Sequence, residues 1–210
     1  EMRGRIEQLI NIPVRAMWVG TFHGTAHRML RLHWKEARLP QNFQILDADD
    51  QQRLVKRVLR AMELPEDQWV PKSVTGFING QKEEGRRPQH LQDQGDYTQR
   101  TLARVYTAYQ EQCERNGLVD FAELLLRAYE LCRDNEEIQH HYRNRFRHIL
   151  VDEFQDTNTL QYQWLRVLAG RTGILFGVGD DDQSIYGWRG AKVENMLKLD
   201  RDFPGTQIIK

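Results

Sequence analysis

Three carboxylates lie within the five residues 152–156 of the segment VDEFQDTN, where an apolar run gives way to polar side chains. Carboxylate oxygens are the ligands that Mg²⁺ prefers, and a hydrated Mg²⁺ needs only one or two of them from the protein. Asp152 is therefore a candidate magnesium ligand, and Glu153 is a candidate base that orients or deprotonates an attacking water. The alternative is that Asp152, Glu153 and Asp156 only solvate a loop and cap the following helix.

The segment VGDDDQSIYGWRGA, residues 178–191, combines acids, an amide, aromatics and arginine after a second apolar run. Gln183 suits a hydrogen bond to a phosphate oxygen or to a water. Tyr186 and Trp188 offer flat faces for unpaired bases, each stack contributing ~1–3 kcal/mol. Arg189 can contact a phosphate or lie over a base. The alternative is that Tyr186 and Trp188 fill a gap between a helix and the sheet.

A third segment, TFHG at residues 21–24, also follows an apolar run. Phe22 is a candidate third stacking face, and His23 is a candidate contact to a phosphate or a base. Four basic residues follow at three- and four-residue spacing: Arg28, Arg31, Lys35 and Arg38. This spacing predicts a basic stripe on one helix that could track a phosphate backbone, or else an ordinary solvated face.

The composition is that of a globular protein with 30 basic and 30 acidic residues among 210, so any polyanion must bind to local clusters of charge. No apolar run approaches the ~20 residues that span a bilayer, and no signal peptide is recognisable, so a cytoplasmic location is expected. Cys113 and Cys132 are far apart and lie among apolar helical positions. We expect two small core residues, and neither a disulfide framework nor a CxxC zinc site.

Short runs of apolar residues predict strands at both ends of the chain. They are residues 16–22, 148–152 and 174–179, with a weaker fourth at 206–209. Their nearly continuous apolar character is typical of a parallel sheet covered on both faces. A helical pattern over 159–169 separates two of them and predicts a βαβ unit. Ligands of such sheets lie at the carboxyl ends of the strands, where Asp152 and Glu153 would be.

The middle of the chain, from about Thr25 to Arg145, has apolar residues at helical spacing. Asp47, Asp50 and Asp120 are candidate helix starts, and Gly117 is a candidate helix end. A helical subdomain inserted into an α/β domain is the fold that this order of elements predicts.

The motifs TFHGTAHRMLR, GLVDFAELL, ILVDEFQDTN and VGDDDQSIYGWRGA together resemble the UvrD/Rep/PcrA group of superfamily 1 DNA helicases. These are ATP-driven motors that translocate 3′ to 5′ along single-stranded DNA. The resemblance covers essentially the whole chain and implies a RecA-like parallel sheet domain with an inserted all-helical subdomain. Residues 1–22 and 147–210 would form the first motor domain, and residues 23–146 the helical insertion.

The resemblance also implies roles for individual residues. Asp152 would coordinate Mg²⁺, Glu153 would activate the hydrolytic water, and Gln183 would sense the γ-phosphate of ATP. The residues that would contact single-stranded DNA are Phe22, His23, Tyr186, Trp188 and Arg189. Asp120 and Phe121 match a shorter family motif to which no role is assigned. The implied partners are single-stranded DNA, its junctions with duplex DNA and DNA repair proteins, in repair and replication.

The sequence departs from the family because no GxxxxGK[ST] phosphate loop occurs in its 210 residues. The second motor domain, whose arginines contact the phosphates, is also missing. We therefore expect a central piece of a longer helicase that does not hydrolyse ATP alone. Two alternatives remain: a module that only binds single strands or docks a partner, and a metal-dependent nuclease. The nuclease would use Asp152, Glu153, Asp156 and the run 180–182, although their spacing does not require them to converge on two ions.

Overall fold

The computed structural model describes residues 2–10, 14, 17–91, 95–180, 195, 198–207 and 209. The helices are Met2–Ile10 (α1), Phe22–Leu32 (α2), Ala48–Ala61 (α3), Pro71–Glu83 (α4), Tyr97–Asn116 (α5), Phe121–Asp134 (α6), Glu136–Arg145 (α7) and Thr159–Ala169 (α8), with a short helix at Leu199–Asp202. The strands are Gln44–Leu46 (β1), Leu118–Asp120 (β2), His148–Val151 (β3) and Ile174–Gly177 (β4).

Strands β3 and β4 pair in parallel, with His148 opposite Ile174 and Val151 opposite Gly177. Helix α8 connects them, so the predicted βαβ unit is confirmed. Parallel pairing brings the carboxyl ends of both strands to the same edge, and the acidic segment begins at that edge.

Only one face of this sheet is covered within the described residues. Ile149, Val151 and Leu175 belong to a cluster with buried side chains of α8. On the opposite face Leu150, Ile174 and Phe176 are exposed. The continuous apolar runs predicted that both faces of the sheet would be covered. Among the described elements, α8 covers one face and no element covers the other.

Helix ends agree closely with the sequence signals. Asp47 and Asp120 cap α3 and α6 by accepting hydrogen bonds from backbone N–H groups three residues later. Gly117 and Gly170 end α5 and α8 with positive φ angles of 62° and 59°, which glycine adopts without steric cost. Asp50 is not a cap, because it lies inside α3 and pairs with Arg53.

The strand predicted at residues 16–22 is wrong over its described residues. Thr21 accepts a hydrogen bond from the N–H of Gly24 at 3.1 Å and so starts helix α2 at Phe22. Trp18 packs edge-on against Tyr142 instead of lying in a sheet. The described residues of the fourth predicted strand, 206, 207 and 209, are also not in a strand, and the hydroxyl of Thr206 donates to the carbonyl of Phe203 in a turn.

Helices α2 to α8 pack into two larger apolar cores. One joins α2, α6, α7 and α8, and the other joins α3, α4 and α5. Cys132 and Cys113 lie buried in the first and second cores as free thiols, as predicted. Helix α8 of the βαβ unit therefore packs directly on helices from the middle of the chain. None of the described helices combines the length and apolar composition needed to cross a bilayer.

Strands β1 and β2 form a second small parallel sheet that the sequence did not predict. Each has three residues, and they are separated by more than 70 positions along the chain, so neither gives a strong local signal. Strand β2 leads directly into α6. Asp120 consequently ends the strand and caps the helix at the same time.

A buried ionic network surrounds this capping aspartate. The fully buried Lys82 lies 2.6 Å from Asp120 Oδ2 and 3.0 Å from Glu123 Oε2. Tyr109 donates its hydroxyl to Asp120 at 2.7 Å, and Arg87 lies 2.8 Å from Glu123. Burial disfavours the charge of Lys82, but the two carboxylates outweigh burial and raise its pKa. The network fixes the start of α6 to α4 and α5.

Candidate functional site

The acidic segment lies at the carboxyl end of β3, against the residues that follow β4. The N–H of Phe154 donates to the carbonyl of Val178 at 2.8 Å, and the N–H of Val178 donates to Val151 at 2.9 Å. Asp152 and Glu153 are exposed at this edge. The acidic pair therefore lies at the end of a parallel strand, as predicted.

Gln155 connects the two strand ends through its side chain, which is almost fully buried. Its amide nitrogen donates to Glu153 Oε2 at 2.5 Å, and its amide oxygen accepts from the N–H of Asp180 at 3.1 Å. The amide thereby orients Glu153 relative to the segment that leads towards Gln183. Sequence reasoning missed this residue, although a glutamine placed between two acids is a recognisable signal.

Glu153 has φ 51° and ψ 47°, in the left-handed region that non-glycine residues rarely occupy. Such strain, of order 1–3 kcal/mol, persists where the surrounding structure enforces it and is concentrated at functional sites. Here the backbone bond from Phe154 to Val178 and the side chain of Gln155 enforce it. This geometry makes Glu153 the strongest candidate for a reacting group.

Gly179 permits the close approach of the two strand ends. A Cβ atom at this position would lie 2.6 Å from Oε1 of Gln155, which is shorter than side chains tolerate. The glycine therefore leaves room for the amide that orients Glu153. A larger residue would displace Gln155.

The segment behind the acidic pair is anchored in the core. Phe154 is buried and packs edge-on against Tyr162 of α8 at 6.2 Å. Asn158 caps α8 and exchanges hydrogen bonds with Gln161 in a capping box. Asn195, also buried, donates to the carbonyl of Thr157 at 3.0 Å. These contacts leave the backbone around the acidic pair little freedom.

Four predicted site residues of the segment 178–191 lie outside the described part of the chain. These are Gln183, Tyr186, Trp188 and Arg189. The last described residue before this segment is Asp180, beside Gln155, so the approach of the segment to Asp152 and the exposure of its aromatic rings stay predictions.

Phe22 and His23, at the start of α2, have different surroundings. Phe22 is half-buried, with its ring 6.4 Å from that of Trp164 in the core. The ring of His23 meets Phe121 edge-on at 5.9 Å. Burial lowers the pKa of His23, so the ring is neutral at neutral pH and can both donate and accept a hydrogen bond.

Phe121 is a candidate contact residue for which the sequence suggested no role. It is the first residue of α6 and is 50% exposed, with Asp120 and its buried network directly behind it. Its contact with His23 brings the amino ends of α2 and α6 together. Helix amino ends carry partial positive charge and unpaired N–H groups, which favour phosphate.

The predicted basic stripe on one helix is wrong. Helix α2 ends at Leu32, so Lys35 and Arg38 lie beyond it. Arg31 donates to the carbonyls of Gln41 and Phe43 at 3.0 and 2.7 Å, and its guanidinium covers the ring of Phe43. Arg31 therefore has a structural role, which periodicity alone cannot distinguish from a solvated one.

Among the described residues, no three His, Cys, Asp or Glu side chains are grouped as metal ligands. A site with one or two carboxylates is compatible with this result, because hydrated Mg²⁺ takes its other ligands from water and phosphate. A two-metal centre requires more convergent carboxylates.

Comparison with known proteins gives a consistent result. The description of the family model that matches residues 1–204 is "UvrD/REP helicase N-terminal domain". DNA helicase II of Salmonella typhimurium is 60% identical over all 210 residues, and that of Escherichia coli strain K12 is 59% identical. The ATP-dependent DNA helicase PcrA of Leuconostoc citreum is 39% identical. The chain spans only 28–29% of the length of these relatives.

The family model covers nearly the whole chain, including the β3–α8–β4 unit and the acidic pair at its edge. The chain belongs to the UvrD/REP helicase N-terminal domain family.

Proposed function

We propose that the chain is part of an ATP-dependent 3′ to 5′ DNA helicase and supplies catalytic acids and part of the track for single-stranded DNA. The observation that supports this most is the acidic pair at the carboxyl end of β3, with Glu153 oriented by Gln155. Its relatives are DNA helicases by name. Repair and replication are the processes we propose, with single-strand to duplex junctions as substrates and DNA repair proteins as partners.

The chemistry of the acidic pair fits a magnesium nucleotide. Asp152 is exposed, and its Oδ1 accepts only the N–H of Glu153, at 3.0 Å, among the described residues. Asp156 adds a buried Oδ1 without a hydrogen-bond partner in the described part of the chain. Asp152 would hold Mg²⁺, which neutralises charge on the phosphates of ATP. Glu153 would accept a proton from the attacking water.

Gln183 would bind the γ-phosphate and transmit nucleotide state to the DNA contacts. Support comes from Asp180, three positions before Gln183 in the sequence, because its N–H donates to the Gln155 side chain that also contacts Glu153. The lysine of a phosphate loop and the arginines of a second motor domain would come from elsewhere in the longer protein, since this sequence has no such loop.

We propose that residues 1–22 and 147–210 form part of a RecA-like sheet domain and residues 23–146 a helical insertion. The exposed face of β3 and β4 supports this, because Leu150, Ile174 and Phe176 form an apolar surface of the kind that helices cover on the second face of a parallel sheet. The abundance of helix between α2 and α7 supports the insertion.

The DNA track would begin where α2 and α6 meet. His23 offers a neutral imidazole, Phe121 an exposed ring, and the two helix ends a favourable place for phosphate. Phe22 would contribute through its half-exposed ring. Tyr186, Trp188 and Arg189 would extend the track beyond this point, as base-stacking and phosphate contacts.

A non-enzymatic alternative is a module that binds single strands or docks a partner. Salt-dependent binding of oligonucleotides by the full-length protein, without ATP hydrolysis in their presence, would favour it. Hydrolysis of ATP that single-stranded DNA stimulates would favour the motor. Cleavage of DNA with Mg²⁺ alone would favour the nuclease, for which the acids at positions 181 and 182 lie outside the described residues.

Replacing Phe121 by alanine should weaken binding of single-stranded DNA by the full-length protein by about 5- to 160-fold. The reason is the loss of one base stack, which contributes ~1–3 kcal/mol. Fluorescence anisotropy with a labelled oligonucleotide measures the effect. Tyr97→Ala is the matched control, because Tyr97 is also the exposed first residue of a helix capped by aspartate. Equal affinities of the two variants would remove Phe121 from the track.

A further inference from the structure

A basic and aromatic cavity lies between the carboxyl-terminal halves of α2 and α7. Its volume is about 300 Å³, at the lower end of the range for ligand sites. Its lining consists of Trp18, Arg28, Leu32, His33, His141, Tyr142 and Arg145. Helix α7 ends at Arg145, just before β3 begins, so the cavity lies near the amino end of β3. Asp152 and Glu153 follow the other end, and the cavity is thus separate from the proposed nucleotide site.

The lining of this cavity selects for an anion. It contains two arginines and no acidic residue. An arginine guanidinium presents a rigid fork of N–H donors that matches phosphate and carboxylate oxygens in pairs. The two guanidinium groups repel a cation, and a neutral apolar ligand offers them no acceptor.

Arg28 is held ready for such a ligand. Its guanidinium lies over the indole of Trp18, with its central carbon 4.3 Å from the ring centroid. No described carboxylate lies within salt-bridge distance of it. The stack fixes the guanidinium without using its N–H groups, because the contact is to the face of the ring. The side chain therefore loses little further freedom when it binds an anion.

Two further polar groups line the cavity in a fixed arrangement. His33 Nε2 and the hydroxyl of Tyr142 are 3.0 Å apart, and the His33 and His141 rings meet edge-on. Burial lowers the pKa of His33, Glu36 opposes this shift and His141 adds to it. With a lowered pKa, His33 adds hydrogen-bonding capacity at neutral pH without a full charge.

A second cavity of about 320 Å³ lies next along the chain, at the amino ends of β3 and β4. Its lining includes Arg143, Arg147 and His148 and again contains no acidic residue. Arg143 uses its Nε to bind the carbonyl of Val167 at 2.9 Å, but Arg147 contacts no carboxylate among the described residues. Basic cavities at consecutive positions suit a ligand with repeated phosphates better than an isolated anion.

We propose that the cavity between α2 and α7 binds the phosphate group of a nucleotide, with Arg28 and Arg145 as its charged contacts. The phosphate can belong to a nucleic-acid strand or to a free mononucleotide. The site goes beyond the proposed function, because it lies away from the acidic pair and can be tested by binding without ATP.

The test compares wild type with the double variant Arg28→Met/Arg145→Met in the full-length protein, without ATP. Affinity for a single-stranded oligonucleotide is measured against salt concentration, and calorimetry measures binding of thymidine 5′-monophosphate. If the cavity holds one phosphate of a nucleic-acid strand, the slope of log K against log salt should fall by about 0.7, the value for one phosphate contact on a single strand. If it holds a free nucleotide, the monophosphate should bind wild type and not the variant.

Either change supports the site and identifies the source of the phosphate. Arg104→Met is the control, an exposed arginine on α5, and should change neither measurement. The variant Arg28→Lys/Arg145→Lys should restore most of the salt slope, which separates loss of charge from loss of folding. An unchanged slope together with no monophosphate binding by wild type overturns the proposal. So does a variant that loses only binding of an acidic peptide such as polyglutamate, because the cavity would then be a protein contact.

Discussion

Glu153→Gln is expected to lower the rate of ATP hydrolysis by the full-length protein by about 10²- to 10⁴-fold, the contribution typical of a positioned general base. The amide cannot accept a proton from the attacking water, but it keeps the size of the carboxylate and can still pair with Gln155. ATP binding should therefore change by no more than a few-fold. Single-turnover hydrolysis and equilibrium binding of a fluorescent ATP analogue measure the two effects separately.

The matched control for this experiment is Glu111→Gln, an exposed glutamate on α5 that pairs with Arg115. It should leave both hydrolysis and binding at wild-type values. A Glu153 variant that loses binding and hydrolysis to the same extent would assign Glu153 to nucleotide binding and not to proton transfer.

Lys82→Met is expected to destabilise the protein by ~3–5 kcal/mol, the cost of leaving a buried charge without its partner. Lys82 is fully buried between Asp120 and Glu123, and methionine would fill its volume without neutralising either carboxylate. Thermal or urea unfolding monitored by circular dichroism measures the change. Lys72→Met, at an exposed position of the same helix α4, should change stability by less than about 0.5 kcal/mol.

The same network predicts the dependence of stability on pH. Burial alone would raise the pKa of Glu123, but Lys82, Arg87 and Arg127 outweigh it and hold the pKa well below its usual range. A lowered folded-state pKa means that this stabilisation is present at neutral pH and is lost as the pH falls through that value. If Lys82→Met changes neither the acid-unfolding midpoint nor the free energy of unfolding at pH 7, the network contributes nothing to stability.

Local signals in the sequence predicted the parts of the fold that depend on neighbouring residues. The caps at Asp47 and Asp120 and the helix end at Gly117 each involve groups a few positions apart. The βαβ unit was predicted for the same reason, since two apolar runs flank one amphipathic helix. Asp152 and Glu153 were correctly placed at a strand end because that position follows from the run itself.

Contacts between distant residues could not be predicted in this way. The pairing of β1 with β2 and of Lys82 with Asp120 joins residues far apart along the chain. Arg31 matched a helical basic stripe by spacing, but its guanidinium binds carbonyls of the loop before β1. The apolar run that ends at Phe22 resembled a strand, but Thr21 caps a helix that begins at Phe22.

The role of Phe121 shows how local and distant contacts combine at the candidate site. Asp120 caps α6 by a local hydrogen bond and is fixed by Lys82 and Tyr109 from other helices. Only the tertiary arrangement brings the exposed ring against His23. A sequence reading can identify the capping aspartate, but it cannot tell which side chain the next residue will meet.

Strand displacement by the full-length protein tests the central claim most directly. A short duplex with either a 3′ or a 5′ single-stranded tail is mixed with protein, Mg²⁺ and ATP, and release of the displaced strand is followed by fluorescence. Wild type should unwind the 3′-tailed duplex in an ATP-dependent manner, and Glu153→Gln should bind it without unwinding. Unwinding by Glu153→Gln at the wild-type rate, or release of the strand by cleavage without ATP, would contradict the assignment of the acidic pair to an ATP-driven motor.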